Sequence, residues 1–423
     1  MLQEKKEHRF FYGWVIAGIS SLLMIVCFGV QYSFGIFFKP LIAEFGWTRA
    51  ETSGIFSVYM VTRGCFSILM GFFCDKYGPR RTVAIGGISL GLGLLLTSRA
   101  NAIWQLYILY STMGGLGAAS FYAPLLSTLS KWFVKKRGLV FGVFTSGIGL
   151  GAVIFSPLAE FLISTYNWRT SYMILGVIML VVTFTAALAV RQSPEEMGLW
   201  PNGGKSNRDP NKVLSRESHS EKGFSLKDAT RTAPFWVIFM VEIINYIITV
   251  TPMVHIVPFA TDCGISSMTA ASLLAIIGGF SIIGRLVVGA ISDRVGARNL
   301  IPVTFILMGV MLFSLPLSKG PMMFYTFAII FGFAYGGSVP LIPAITANYF
   351  GLASMGVILG AIMFGGVVGG GIGPLMVGKI YDFTKTYNLA FSILGILAII
   401  GALLPFYLKQ FEPHHTLPTL SNT

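Results

Sequence analysis

The sequence predicts an all-α membrane protein with twelve transmembrane helices in two six-helix bundles. Three observations lead to this fold class. Apolar residues make up 54% of the 423 residues and charged residues 11%, about half the charged fraction usual in soluble domains. Apolar stretches long enough to cross a bilayer recur along the chain. One charged turn sequence occurs twice, at equivalent places in two sets of six stretches.

Six apolar stretches precede a polar segment and six follow it. They lie at about 11–38, 53–74, 82–98, 103–128, 139–162, 170–190, 234–259, 268–291, 300–318, 321–347, 353–378 and 387–408. The segment between them is basic and rich in Gly, Ser and Asn, which is typical of a flexible linker. We therefore expect an N-terminal bundle over 1–190, a cytoplasmic linker over 191–233, and a C-terminal bundle and tail over 234–423.

The positions of the basic residues predict the orientation of these helices. With the N-terminus inside, the inner segments carry 21 of the 30 Lys and Arg residues and the outer segments carry seven. The other two, Arg63 and Arg285, lie within apolar helices. This bias predicts that both termini lie in the cytoplasm. We expect the protein to be a multi-pass protein of the cytoplasmic (inner) membrane. The same bias also explains the net charge of +13 without a nucleic-acid partner.

The repeated turn follows the second helix of each set. Residues 71–81 read GFFCDKYGPRR, and residues 289–299, which lie 218 positions later, read GAISDRVGARN. Acidic and basic side chains at a cytoplasmic turn can dock it against neighbouring helix ends. We expect them to act as gate latches and not as ligands. The gate residues are Asp75, Arg80, Arg81, Asp293, Arg294 and Arg298.

Arg285 is the strongest candidate for a binding residue. No charged residue lies between Asp262 and Arg285, and the next one is Asp293, so Arg285 lies roughly 12 Å inside the following turn. A charge at this depth is costly and usually faces a cavity on a substrate pathway. The alternative is a structural arginine paired with a neighbouring helix. For Arg63, which has small and polar neighbours, we favour a structural role.

Three motifs carry a resemblance to a known family. The repeated turn is similar to the signature of the major facilitator superfamily. Residues 132–151, WFVKKRGLVFGVFTSGIGLG, resemble the fifth-helix signature of the monocarboxylate transporter family, and Tyr12-Gly13-Trp14 resembles its first signature. The resemblance implies a carrier of two bundles with a central site, in which Arg285 binds the substrate carboxylate. We expect it to function as a monomer in the lipid bilayer.

The chain also departs from the patterns of these relatives. Animal members of the family have an aspartate where this chain has Ser281, and a lysine in the first helix where it has Tyr32. The related oxalate/formate exchanger has a second cation in helix 11, at the place of Ile362. The usual pair for proton coupling is therefore missing, and so is that exchanger's second cation.

Further candidates come from the helices that line the cavity in this superfamily. The expected substrate-binding residues beside Arg285 are Gln31, Tyr32, Tyr122 and Tyr335. Tyrosine offers an apolar ring and a hydroxyl to a small hydroxy or keto acid, although packing or an interfacial belt explains it equally well. Glu242 and His255 are the candidates for proton coupling. Glu242 is expected at the depth of Arg285, with a vestibule-facing glutamate as the alternative, and His255 could instead line the outer mouth.

These observations predict a secondary transporter of a short monocarboxylate, L-lactate or pyruvate, coupled to a proton. One buried cation in the C-terminal half matches one carboxylate, because a second carboxylate would remain unpaired in a low-dielectric site. The first alternative is an anion exchanger of the oxalate/formate type, and the second is a membrane sensor or enzyme. We expect no enzymatic activity, cofactor or metal, because the sequence has no nucleophile–base arrangement, no metal-ligand cluster and no GxxxxGK(S/T) phosphate loop.

Overall fold

A computed structural model describes residues 11–133, 137–200, 224–318, 320–351 and 354–408, excepting the side chains of residues 137, 138 and 293. Within these ranges the regular structure is helical, as predicted for a chain whose backbone groups must be satisfied in lipid. Two compact units divide the chain: Met1–Ser215 with Met253–Gly279, and Arg216–Pro252 with Phe280–Thr423. The division falls inside two helices. The predicted boundary at 191–233 between two six-helix bundles stays a prediction.

The helices of the N-terminal part are α1 (Gly13–Phe45), α2 (Arg49–Tyr77), α3 (Pro79–Thr97), α4 (Ile103–Leu106), α5 (Gly114–Ala119), α6 (Tyr122–Trp132), α7 (Arg137–Thr165) and α8 (Trp168–Ala189). A π-helical stretch, Tyr107–Met113, joins α4 to α5, and a 3₁₀ turn, Pro194–Met197, follows α8. α1 packs along α7, and α3 packs along α8. Small residues allow these approaches: a Cβ on Gly151 of α7 would lie 2.5 Å from the carbonyl oxygen of Ile25.

The remaining helices are α9 (Leu226–Ala229), α10 (Ala233–Asp262), α11 (Ser267–Val295), α12 (Ala297–Ser314), α13 (Pro321–Ser338), α14 (Leu341–Phe350), α15 (Met355–Thr384) and α16 (Asn388–Tyr407). A 3₁₀ turn, Leu315–Leu317, extends α12. α12 packs along α16 and α13. The pairing of α12 with α16 repeats that of α3 with α8, because each joins the third and sixth predicted span of its set.

The structure confirms the predicted membrane fold. It confirms the predicted number of twelve transmembrane helices only in part. Ten helices of the described chain are long and apolar enough to cross a membrane. The other two predicted spans are α3, whose first turn carries Arg80 and Arg81, and the broken helix of residues 103–132. The break falls at Ser120–Phe121 because the ring of Pro124 clashes with the carbonyl four residues earlier in a continuous helix. Tyr122 consequently begins α6.

The two copies of the repeated turn have the same backbone conformation. Gly78, between α2 and α3, has φ 83° and ψ 160°, and Gly296, between α11 and α12, has φ 85° and ψ 136°. Both donate a backbone hydrogen bond to the carbonyl four residues earlier, at 2.8 and 2.9 Å. Positive φ favours glycine, which explains why both copies keep it at this place.

Candidate functional site

Arg285 lies on the side of α11 that faces away from lipid. Ile283, Leu286, Val287 and Ile291 are exposed and form an apolar stripe along this helix. At about 100° per residue, the side chain of Arg285 projects from the opposite side. It is half-buried, and its Nε and Nη2 atoms are fully buried. The guanidinium therefore points into protein or a protein-lined cavity, which is the arrangement expected of a membrane-embedded ionic site.

The aromatic ring of Tyr335 borders Arg285 within the second unit. The Cζ atom of Arg285 lies 6.0 Å from the ring centroid, at the outer limit of a cation–π contact. The backbones of α11 and α13 touch on both sides of this pair. A Cβ on Gly284 would overlap the carbonyl oxygen of Phe333, and a Cβ on Gly336 would overlap that of Ser281. Two glycines thus hold the arginine and the tyrosine at a fixed separation.

Glu242 belongs to a buried polar cluster of the same unit. Its carboxylate is 1% exposed and accepts a hydrogen bond from Nδ2 of Asn245 at 3.2 Å. Oδ1 of Asn245 in turn accepts one from the hydroxyl of Ser338 at 3.2 Å. Ser338 lies one turn after Tyr335 on α13, so the cluster links Glu242 to the helix of the aromatic residue. Although Glu242 is expected at the depth of Arg285, the partner of its carboxylate among the described contacts is Asn245.

Gln31 contacts Arg63 in the first unit, and Tyr32 adjoins this pair through Phe28. The side-chain oxygen of Gln31 accepts hydrogen bonds from Nη1 of Arg63 at 2.9 Å and from the hydroxyl of Tyr59 at 3.3 Å. The guanidinium lies 4.8 Å from the ring centroid of Phe28, which in turn lies 6.0 Å from that of Tyr32. Gln31 is therefore a polar partner of Arg63 on another helix.

Arg63 also faces away from lipid. The exposed apolar residues of α2 include Val58, Val61, Ile68 and Phe72, and Arg63 projects from the opposite side of the helix. Arg63 is half-buried, whereas Gln31 beside it is buried. Arg63 is thus a second inward cation that the sequence alone does not reveal, because the exposed stripe of α2 becomes evident only in the folded chain.

Tyr122 is not part of this cluster among the contacts described. Its ring lies against Phe144 of α7, with 5.8 Å between the centroids, and the side chain is half-buried. The described contacts thus join Gln31 to Arg63 and Tyr335 to Arg285, and Tyr32 adjoins the first pair through Phe28. The assignment of all four to one substrate site stays a prediction.

His255 is buried near one end of the first unit. Its Nε2 atom lies 3.3 Å from the hydroxyl of Ser53, and its ring meets that of Phe38 edge-on, with 5.3 Å between the centroids. Two turns later Asp262 binds both Lys39, at 2.6 Å, and Arg49, at 2.5 Å. Ion pairs and a buried aromatic contact therefore clamp the end of α10 to α1 and α2. We refer to Lys39, Arg49 and Asp262 as the ionic clamp.

The predicted gate residues lie at the repeated turns. Asp75, Arg80, Arg81 and Arg294 are exposed. Arg298 donates from Nε to the carbonyl oxygen of Pro405 at 3.2 Å, which docks the second turn against the end of α16. The side chain of Asp293 lies outside the described residues. The latch role of the six residues stays a prediction.

Comparison with known proteins identifies the fold. Residues 20–374 match the family described as the Major Facilitator Superfamily. The chain belongs to the major facilitator superfamily. A solved member of similar fold is a bacterial homologue of the human lysosomal transporter Spinster, with a TM-score of 0.75, 14% identity, and coverage of 94% of this chain and 97% of that one. The protein is therefore a multi-pass membrane transporter and not an enzyme.

Curated relatives within the superfamily confirm the predicted resemblance to the monocarboxylate transporter family. Monocarboxylate transporter 13 of Bos taurus is 27% identical over 92% of this chain and 88% of its own length. Monocarboxylate transporter 12 of Homo sapiens is 27% identical over 93% of this chain and 80% of its own. Monocarboxylate transporter 11 of Homo sapiens is 26% identical over 95% and 84%. The similarity covers nearly the whole chain.

Proposed function

We propose that this protein is a secondary transporter that moves a short monocarboxylate, L-lactate or pyruvate, together with a proton by alternating access. The observation that carries this proposal is Arg285, whose guanidinium faces away from lipid beside Tyr335. A guanidinium forks onto both oxygens of a carboxylate and stays charged at any physiological pH. The aromatic ring adds an apolar wall for a short carbon chain. The names of the relatives support the same substrate class.

The experiment that tests this proposal is uptake into proteoliposomes. Labelled lactate is offered with and without an outside-acid pH gradient, and unlabelled pyruvate, acetate, formate, oxalate and succinate compete. We expect lactate to accumulate only when the outside is acid, with pyruvate as a strong competitor and oxalate and succinate as weak ones. Absence of uptake of every monocarboxylate tested would contradict the proposed function.

Arg63 favours one second candidate, an organic anion exchanger of the oxalate/formate type. Such a substrate has two carboxylates and needs two cations in a low-dielectric site. The sequence disfavours the exchanger because Ile362 replaces its helix-11 cation. Arg63 of the first unit also faces away from lipid, so a transmembrane helix other than that of Arg285 carries an inward cation. Oxalate competing as well as lactate, with uptake independent of the pH gradient, would favour the exchanger.

We propose that the ionic clamp opens during alternating access, and this yields a prediction for Asp262→Asn. Two partly exposed ion pairs are worth about 1 kcal/mol together, or about fivefold in an equilibrium. We expect the substitution to raise the accessibility of the buried residue 53 by several-fold. The measurement is maleimide labelling of Ser53→Cys in a chain whose four native cysteines are replaced.

Glu44→Gln is the matched control for the ionic clamp. Glu44 pairs with Arg169 and accepts a hydrogen bond from Trp168. These contacts join α1 to α8 and not to α10. Its substitution should leave the labelling of residue 53 unchanged. Equal labelling in wild-type and Asp262→Asn protein would show that the ionic clamp does not hold this end closed.

The proposed orientation has both termini in the cytoplasm and the protein in the inner membrane. The excess of Lys and Arg in the inner segments supports it. Under this orientation the ionic clamp faces outside and the two repeated turns face the cytoplasm.

A further inference from the structure

A basic cavity lies where α2 and α8 end and α3 begins, and it includes none of the candidate substrate-binding residues. Its volume is about 840 Å³. Four cationic side chains line it, from Lys76, Arg80, Arg81 and Arg191, together with one carboxylate from Glu196. Glu196 accepts a hydrogen bond from the backbone amide of Gln192 at 3.2 Å, and its single negative charge is outnumbered by the four cations. In the described part of the chain, none of the four cations forms an ion pair. The cavity thus concentrates positive charge.

An apolar groove continues from this cavity along the lipid-facing surface. It has a volume of about 360 Å³, lies between α3 and α8, and shares the side chains of Ala84 and Phe184 with the basic cavity. Ile88 and Val181 form its walls. Phe184 and Val181 are 67% and 57% exposed, as side chains facing lipid would be. The basic cavity and the groove are therefore continuous.

The shape of the groove depends on Gly87. A Cβ at this position would overlap the side chain of Thr183, so α3 and α8 approach closely here and no side chain of Gly87 fills the space. The result is a shallow apolar channel between α3 and α8 that begins beside the basic cavity.

We propose that the basic cavity and the groove together form a binding site for one anionic phospholipid. The phosphate head group occupies the basic cavity and an acyl chain lies in the groove. Basic cavities between transmembrane helices suit anionic head groups, and each basic residue at a membrane surface adds measurably to the attraction. A free phosphate ion would use the cavity but leave the groove empty. A zwitterionic lipid would fit the groove but gain little from four cations. This site is independent of the proposed substrate, and the proposed orientation places it in the cytoplasmic leaflet.

Native mass spectrometry of the purified full-length protein tests this proposal. Phosphatidylglycerol and phosphatidylcholine with identical acyl chains are added at equal concentration, and inorganic phosphate is added as a competitor in a second series. We expect phosphatidylglycerol to bind at least about tenfold more tightly than phosphatidylcholine, and excess phosphate to displace it poorly.

Two pairs of variants locate the bound lipid. Lys76→Gln with Arg191→Gln should reduce the preference for phosphatidylglycerol by about tenfold, whereas Lys227→Gln with Arg231→Gln, which neutralises two exposed basic residues outside the cavity, should not. Val181→Trp should block the groove and weaken phosphatidylglycerol binding severalfold. Val177→Trp, one turn away on the same helix and also exposed at 48%, should have no effect.

Each remaining outcome contradicts the proposal. Equal binding of the two lipids would show that the cations do not select an anionic head group. Full displacement by phosphate, with Val181→Trp unchanged, would make the basic cavity a site for a soluble anion. Equal effects of test and control substitutions would place the bound lipid elsewhere. None of these results bears on Arg285 or on uptake, so this proposal fails or stands separately from the proposed function.

Discussion

Arg285→Ala is expected to abolish lactate uptake. An ionised carboxylate that enters a low-dielectric site without a fixed cation is left unpaired, at a cost of about 3 kcal/mol or more. The corresponding loss in transport is more than about a hundredfold. The measurement is the initial rate of lactate uptake into proteoliposomes at saturating pH gradient, normalised to reconstituted protein.

Arg285→Lys separates charge from geometry. Lysine keeps the positive charge but loses both the planar fork for a carboxylate and the stacking surface toward Tyr335. We expect this variant to transport measurably but more slowly than wild type, with a lower maximal rate as well as weaker affinity. Wild-type rates in both variants would show that Arg285 has only a structural role.

A ligand-binding measurement distinguishes loss of lactate binding from unfolding of the variant. Lactate should raise the thermal unfolding temperature of the wild-type protein, since a ligand that binds only the folded state stabilises it. A folded Arg285→Ala protein should have an unfolding temperature near that of wild type in the absence of lactate. Added lactate should not raise the unfolding temperature of this variant. If lactate still stabilises this variant, the carboxylate binds elsewhere.

Glu242→Gln is expected to uncouple transport from the proton. The substitution preserves size and keeps an oxygen that can accept the hydrogen bond from Asn245, so the cluster with Ser338 persists. What it removes is the ability to bind and release a proton. We therefore expect lactate–lactate exchange to continue at near wild-type rates while accumulation driven by an outside-acid gradient falls to the background level.

His255→Ala is the comparison for Glu242→Gln. In this structure His255 contacts Ser53 and Phe38 and lies near the ionic clamp, so its loss should spare the coupling. Accumulation against the lactate gradient by Glu242→Gln protein would remove Glu242 as the proton carrier. His255, or a proton that arrives with the substrate, would then become the leading candidate.

The positions of the helices could be predicted from the sequence, but the side-chain contacts between them could not. Membrane-spanning segments can be located in the sequence because a stretch of about 20 consecutive apolar residues is typical of a transmembrane helix. The break before Tyr122 was missed, although Pro124 signals it, because the hydropathy of residues 103–128 is high throughout. The depth of Glu242 was inferred from its distance along α10, but depth alone does not determine which partner the carboxylate meets. Among the described contacts that partner is Asn245.

The sequence does not determine the rotation of each helix about its axis, and this rotation decides which side chains reach the candidate site. A helix that is apolar on every side carries little information about which side faces a neighbour. The exposed stripes of α2 and α11 became visible only in the folded chain, and they show that Arg63 and Arg285 both point away from lipid. The contact between Gln31 and Arg63 joins two helices, and no spacing rule within one helix predicts it.

The glycine contacts beside Arg285 have a consequence for how this protein is made. A helix with a central arginine enters the bilayer at a penalty of about 2.5 to 3.5 kcal/mol on insertion scales. The backbone contacts at Gly284 and Gly336 let α11 and α13 pack closely against each other. This packing shields the guanidinium of Arg285 from lipid. During biosynthesis the two segments would then be retained together near the translocation channel until both are present. A bulky residue at either glycine would appear first as chains degraded before assembly, and not as a carrier with altered affinity.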